Sequence, residues 1–170
     1  MHIPANSSML CYERPDTNKR KELQMAQFDR KAGALWTGDL KTGNGLISTE
    51  SRTLFELPYS YPTRFEDEVG LNPEELIAAA HAACFSMSVA SVLANNGFTP
   101  VQTETTATCT LASKEEGGHE ITNLRLHVRC EVPDIDETRF NELVQEADQN
   151  CPVSNLLRGG VNIEITTALI

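Results

Sequence analysis

An α+β fold is predicted by three observations. Runs of alternating character stand on both sides of a long uncharged stretch, that stretch opens on a strong helix start, and a second, amphipathic helical pattern follows the later strands. The order is strands, helix, strands, helix, strand. No internal repeat or low-complexity block interrupts it.

Residues 1–24 mix charges, Pro4, Pro15 and polar side chains without a helical or strand period, and read as a mobile N-terminal extension that holds Cys11. Met25 is the expected start of the folded unit, which spans 25–170. From Gly33 the pattern predicts a small antiparallel meander: residues 34–40, a turn at 41–45, then 46–50 and 53–57. Pro58 and Pro62 interrupt the next stretch, leaving Thr63, Arg64, Phe65 and Glu66 in an extended connection.

Asn72-Pro73-Glu74-Glu75 then signals a helix, with Asn72 as N-cap, Pro73 at the first helical position and Glu75 placed to close a capping box. Gly97 supplies its stop. From Leu76 to Thr103 there are 28 consecutive positions without Asp, Glu, Lys or Arg, so this helix is expected to be surrounded by protein as the central element. A membrane span is the competing reading; His81, Ser86, Ser88 and Ser91 in a largely alanine stretch argue against it. The alanines at 78, 79, 80, 82 and 83 allow another helix to approach closely.

Alternation resumes at Val101, Thr103, Thr105, Ala107, Cys109 and Leu111, turns at 113–118, and continues through Leu124, Leu126, Val128, Cys130 and Val132. Phe140, Leu143, Val144 and Ala147 recur at helical spacing behind Asp134 and Asp136, predicting a helix that covers the sheet. Cys151-Pro152 opens a short helical turn, and a last strand starts at Val161.

Composition narrows the function. The 170 residues fit one domain, and 40% hydrophobic with 22% charged residues is the balance of an ordinary globular protein. Fourteen Lys and Arg against 24 Asp and Glu give a formal charge of −10, which argues against nucleic acid as partner and leaves small uncharged molecules open. Five cysteines without CxxC spacing fit neither a disulfide framework nor a zinc site. With no apolar run resembling a signal peptide near the start, a cytoplasmic, thiol-reducing compartment is expected.

Cys84 is the most unusual residue, a thiol in the middle of the uncharged helix. It is either a small core hydrophobe or a reactive group. Cys151, just before Pro152, stands where a helix start lowers a thiol's pKa, and equally where a capping or packing residue would stand. Cys109 and Cys130 lie on apolar strand faces and read as inert, and His81 reads as a packed core histidine rather than a metal ligand. Glu74 has no capping task and is the freer carboxylate; Arg64, in an extended segment near the same helix start, reads by itself as a solvated charge.

Thr63-Arg64-Phe65-Glu66, Asn72-Pro73-Glu74-Glu75-Leu76, the run from Ala79 through His81 and Cys84 to Met87, and Asn150-Cys151-Pro152-Val153-Ser154 together resemble the osmotically inducible protein C and organic hydroperoxide resistance family, closer to the former branch. The resemblance covers residues from about Met25 onward. It implies antiparallel sheets packed around a long buried central helix in an intertwined homodimer. It also implies a two-cysteine peroxidase without metal or organic cofactor, acting on organic hydroperoxides and less well on hydrogen peroxide. By motif position Cys84 would be the peroxidatic thiol, Cys151 the resolving one, and Arg64 with Glu74 the groups supporting the thiolate; a dihydrolipoyl group or small thiol would be the reductant.

Simple chemistry agrees with that assignment. A thiol of pKa about 8.5 is only about 3% ionised at pH 7, and mid-helix the dipole offers little help, so an arginine is needed to offset desolvation. A bidentate carboxylate would orient that arginine. Met87 and Phe85 are candidates for an apolar wall favouring organic chains. Ten residues of helix separate Glu74 from Cys84 by about 15 Å, so their cooperation calls for an antiparallel partner helix across a twofold. A thiol-based sensor or binding protein without turnover is the alternative.

Overall fold

The computed structural model describes residues 27–170. The predicted extension over 1–24, Cys11 and the start at Met25 lie outside the described residues. The elements are β1 (Ala32–Thr37), β2 (Asn44–Thr49), β3 (Leu57–Ser60), α1 (Tyr61–Phe65), α2 (Pro73–Asn95), β4 (Gln102–Ser113), β5 (His119–Glu131), α3 (Glu137–Asn150), α4 (Pro152–Leu157) and β6 (Asn162–Leu169). The class is α+β with two three-stranded sheets, ordered β1-β2-β3 and β4-β5-β6.

The first sheet is the expected antiparallel meander with its last strand displaced. Residues 50–56 form an irregular loop instead of a strand: Thr49 N–H donates to Leu54 O at 2.9 Å, and Arg52 and Glu56 take left-handed φ of 59° and 51°. Strand pairing moves on to Leu57–Ser60, where Pro58 is tolerated because β3 is an edge strand.

Residues 61–65 are helical, contrary to the extended connection predicted for 63–66. Ser60 caps this short helix: its hydroxyl accepts from Thr63 N–H at 3.3 Å, and Thr63 Oγ1 accepts from Ser60 N–H at 2.9 Å. Pro62 lies in the first turn, where its missing N–H costs nothing, so the residue read as a breaker is a helix starter. Thr63 Oγ1 also donates to Leu71 O at 3.0 Å, which ties α1 to the entry of α2.

Asn72 caps α2 as predicted, accepting from Glu75 N–H at 2.8 Å. Glu75 itself is exposed, and the observed cap is this one bond rather than a reciprocal box. Beyond the last turn Gly97 takes φ +85°, and Phe98 N–H closes back on Leu93 O at 3.0 Å.

The second sheet carries the core. Leu124, Leu126, Val128 and Cys130 alternate on the inner face of β5, each at most 1% exposed, and the last three pack in one core with Phe140, Leu143, Val144 and Ala147 of α3 and Phe85, Val89, Val92 and Leu93 of α2. This sheet is mixed, not antiparallel throughout: β4 and β5 are antiparallel but β5 and β6 run parallel. Two helices intervene between Glu131 and Asn162 and return the chain to the starting end of β5, and that crossover dictates parallel pairing.

The central helix departs from expectation in one respect. Among the described residues it is covered on one face only, where Glu74, His81, Phe85, Val89 and Val92 are buried. Ala79, Ala80, Ala83, Met87 and Ser91 remain exposed on the other, Met87 at 75%. A charge-free run implies that a helix is covered; among the described residues nothing covers this face. The helix is long and apolar enough to cross a membrane, yet it packs on β4 and α3 as a core element.

Candidate active site

The four residues singled out by the sequence fall into two pairs, each with one member on α2. At its start, Glu74 occupies the second position of α2 and Arg64 the next-to-last position of α1. The Thr63 bond to Leu71 and the bond of Asn72 Nδ2 to Thr63 O (3.4 Å) hold these helices together, and so bring the guanidinium to the carboxylate. Arg64 Nη2 donates to Glu74 Oε1 at 2.7 Å, and Nε lies 3.2 Å from Oε2, a two-pronged pair. The Glu74 side chain is 10% exposed and that of Arg64 35%. Arg64 also lies over the Phe65 ring at 4.9 Å, and that ring stacks on His119 of β5 at 4.8 Å.

Ten residues further on, Cys84 meets Cys151. Their sulfurs lie 3.5 Å apart as free thiols, with Cys151 Sγ donating to Cys84 Sγ. Closing that gap to a disulfide length near 2.05 Å takes about 1.5 Å of approach. Cys151 is fully buried, whereas Cys84 is half-buried at the edge of a cleft of about 470 Å³ lined by Met87, Ser88, Glu146, Asn150 and Pro152. Phe85, expected beside Met87 on the cleft wall, is 0% exposed and points into the core instead.

The electrostatics around Cys84 are one-sided. Burial pushes its thiol pKa up, the Val153 backbone N–H pulls it down, and the neighbouring Cys151 raises it again, with a net upward shift. The Val153 N–H in the first turn of α4 thus acts on Cys84, while Cys151 stands at the N-cap and makes no side-chain cap bond. Among the described residues no cation figures in the balance at this sulfur. Arg64 and Glu74 are brought together, Cys84 and Cys151 are brought together, and one chain does not bring the two pairs together.

The remaining candidates fall where their faces put them. Cys130 is fully buried with its thiol pushed up by burial. Cys109 is half-buried, raised by burial and also by the charge of Glu74. His81 is a fully buried core histidine, and the described residues contain no cluster of His, Cys, Asp and Glu able to hold a metal ion. Sequence reasoning missed its partner, Ser154 Oγ at 2.9 Å from Nε2, and the part-buried bond from Arg158 to Asp148. The one available signal was spacing: His81 is three residues before Cys84, and Ser154 three after Cys151.

Known proteins share this arrangement of sequence and fold. Residues 65–166 match the family described as OsmC-like protein. The chain is 46% identical over 135 residues to peroxiredoxin OsmC of Escherichia coli strain K12, covering 79% of this chain and 94% of that protein. It is 32% identical to the organic hydroperoxide resistance protein of Xanthomonas axonopodis pv. citri over 58% of this chain and 68% of the other. Among solved structures it resembles the organic hydroperoxide resistance protein OhrB of Bacillus subtilis, with a TM-score of 0.65 at 27% identity, over 81% of this chain and 98% of that one.

Proposed function

The chain belongs to the OsmC-like protein family, and from that premise we propose that residues 25–170 form a cysteine-dependent peroxidase, acting in the cytoplasm as a homodimer on organic hydroperoxides and less well on hydrogen peroxide. The observation that carries this reading is the approach of two free thiols, Cys84 and Cys151, to 3.5 Å beside an open cleft. Sixty-seven residues of sequence separate them, so the fold must bring them there.

In the proposed cycle the Cys84 thiolate attacks the distal oxygen of the hydroperoxide. The O–O bond breaks, the alkoxide takes a proton and leaves as alcohol, and Cys84 becomes a sulfenic acid. The Cys151 sulfur then attacks the Cys84 sulfur, the S–O bond breaks, hydroxide leaves as water with the proton from Cys151, and a disulfide forms. A dithiol, of the dihydrolipoyl type or a small thiol pair, reduces that disulfide by exchange.

This chemistry needs a thiolate, and the single chain favours the thiol at Cys84. The missing cation is Arg64 of a second copy. A twofold that sets Glu74 of one copy opposite Cys84 of the other crosses α2 midway between them, at Ala79, and Ala79, Ala80 and Ala83 are exposed there with no side chain larger than a methyl group. The partner's Arg64, held by the partner's Glu74, then lies beside the sulfur and the leaving alkoxide. A small apolar hollow of about 120 Å³ at the Glu74 end, lined by Ala34, Ile47, Tyr59, Leu71 and Leu76, supplies an apolar wall of the kind that suits an organic chain.

Turnover of a bulky organic hydroperoxide with dihydrolipoamide as reductant tests the reading. Cys84→Ser is expected to abolish turnover, and Cys151→Ser to give one oxidation and then stall in recycling. A protein that oxidises once and never turns over with any dithiol would instead be a sensor.

A further inference from the structure

The polar groups behind the two thiols have no task in that cycle. His81 of α2 and Ser154 of α4 are both fully buried and joined by a 2.9 Å hydrogen bond. Because they stand three residues before Cys84 and three after Cys151, this bond links the same two helices one turn away from the sulfur pair. Arg158 caps the other end of α4 and donates through Nη2 to Asp148 Oδ2 at 2.6 Å and to Asp148 O at 3.4 Å. Asn155 Nδ2 donates to Gln149 O at 2.8 Å. The segment bearing Cys151 is therefore tied twice to the end of α3 and, through side-chain hydrogen bonding of Ser154, to α2.

Stability alone does not account for this cluster. His81 Nδ1 and Asp148 Oδ1 are buried without a hydrogen-bond partner, a cost that apolar residues of similar shape would avoid. The six residues of α4 include only one fully buried side chain, that of Ser154, so apolar packing gives this helix little anchorage. Burial pushes the His81 pKa down, more than Asp148 opposes it, and the neutral imidazole can hold a hydroxyl at physiological pH.

We propose that the His81–Ser154 hydrogen bond is a latch that positions Cys151 for attack on Cys84, making both positioning residues of the disulfide-forming step and not of peroxide reduction. The assignment to a catalytic step rests on the peroxidase reading; the latch itself does not. With Cys151 held, the sulfurs need only a short closing movement, whereas a freed α4 would let Cys151 swing away from the sulfenic sulfur it must attack.

The test measures Cys151 with and without peroxide. Equilibration of the full chain with reduced and oxidised dithiothreitol gives the effective concentration of one thiol towards the other, and dimedone trapping after one equivalent of cumene hydroperoxide gives the rise and lifetime of the Cys84 sulfenic acid. Ser154→Ala, which removes one oxygen atom, is expected to lower the effective concentration about tenfold, the scale of one buried hydrogen bond, and to lengthen the sulfenic lifetime equally while its rate of formation stays constant. His81→Phe should do the same, and the double variant should lose no more than either single change. Should the histidine variant fail to fold, Ser154→Ala decides alone. An unchanged exchange equilibrium in Ser154→Ala overturns the latch, as does a double variant whose losses multiply. If wild type forms no sulfenic acid but the exchange loss is found, the peroxidase reading falls and the latch stands.

Discussion

The start and the middle of one helix make opposite choices. At its start, Arg64 and Glu74 form a charged pair that is electrically complete, hydrogen-bonded on both sides and without a nucleophile. In its middle, Cys84 meets Cys151 to give two nucleophiles, one half-buried and one buried, with a raised Cys84 pKa and, among the described residues, no cation in the balance at that sulfur. Each region holds what the other lacks. The contrast teaches that burial can bring reactive atoms together without activating them; on the proposed reading, activation is a property of the assembly.

Removing the cation should have the largest effect on this contrast. Arg64→Ala is expected to slow peroxide-driven oxidation of Cys84 by about a hundredfold, the scale of losing a preorganised charge at a reacting centre, as read by stopped-flow consumption of cumene hydroperoxide. Keeping the copies apart should come next. Ala79→Arg puts a charge at the exposed crossing point, and alkylation of Cys84 at pH 7 should fall roughly thirtyfold as the thiol returns to its protonated state. Equal alkylation in the associated and separated proteins would break the comparison.

A milder change sharpens it. Glu74→Gln leaves the guanidinium charged but unhelped by a two-pronged carboxylate, and about a tenfold loss of turnover is expected from poorer orientation. The smallest effect concerns stability. His81 is held below its ordinary value of 6.5, so the unfolded chain takes up a proton that the native one resists. The stability this confers is present above pH 6.5 and lost as pH falls from there towards the depressed native value. The thermal midpoint should therefore drop between about pH 7 and pH 5, and His81→Phe should flatten that drop. Asp39, held low mainly by its hydrogen bonds to Thr42, would act only below its ordinary 3.8 and does not disturb this window.

Much of this is legible in the residues themselves. The caps at Asn72 and Asp136 and the alternation through β4 and β5 are local signals, and the elements stand where those signals put them. The short helix carrying Arg64 escapes a reading of the sequence because Pro62 has the look of a breaker, while the reciprocal bonding of Ser60 and Thr63 that starts the helix shows only in the fold. The parallel pairing of β6 depends on which end of the sheet a two-helix crossover returns to, a property of the whole path and not of any segment. The family resemblance, not side-chain type alone, singles out the four candidate site residues, and sequence cannot state that two thiols meet, nor that the alanine face of the central helix is bare among the described residues. The His81–Ser154 bond is hidden for a different reason: matching offsets of three residues carry meaning only once the two cysteines are known to be neighbours.

Mixed dimers test the shared site most directly. Arg64→Ala and Cys84→Ser chains should each be inactive, but a heterodimer of the two pairs the intact thiol of one with the intact guanidinium of the other. Random reassociation of equal amounts should restore about one quarter of wild-type hydroperoxide turnover, since half of the dimers are mixed and each carries one whole site. Turnover that stays at the level of the separate variants after subunit exchange would contradict the shared site, because it would mean that thiol and arginine must belong to the same chain.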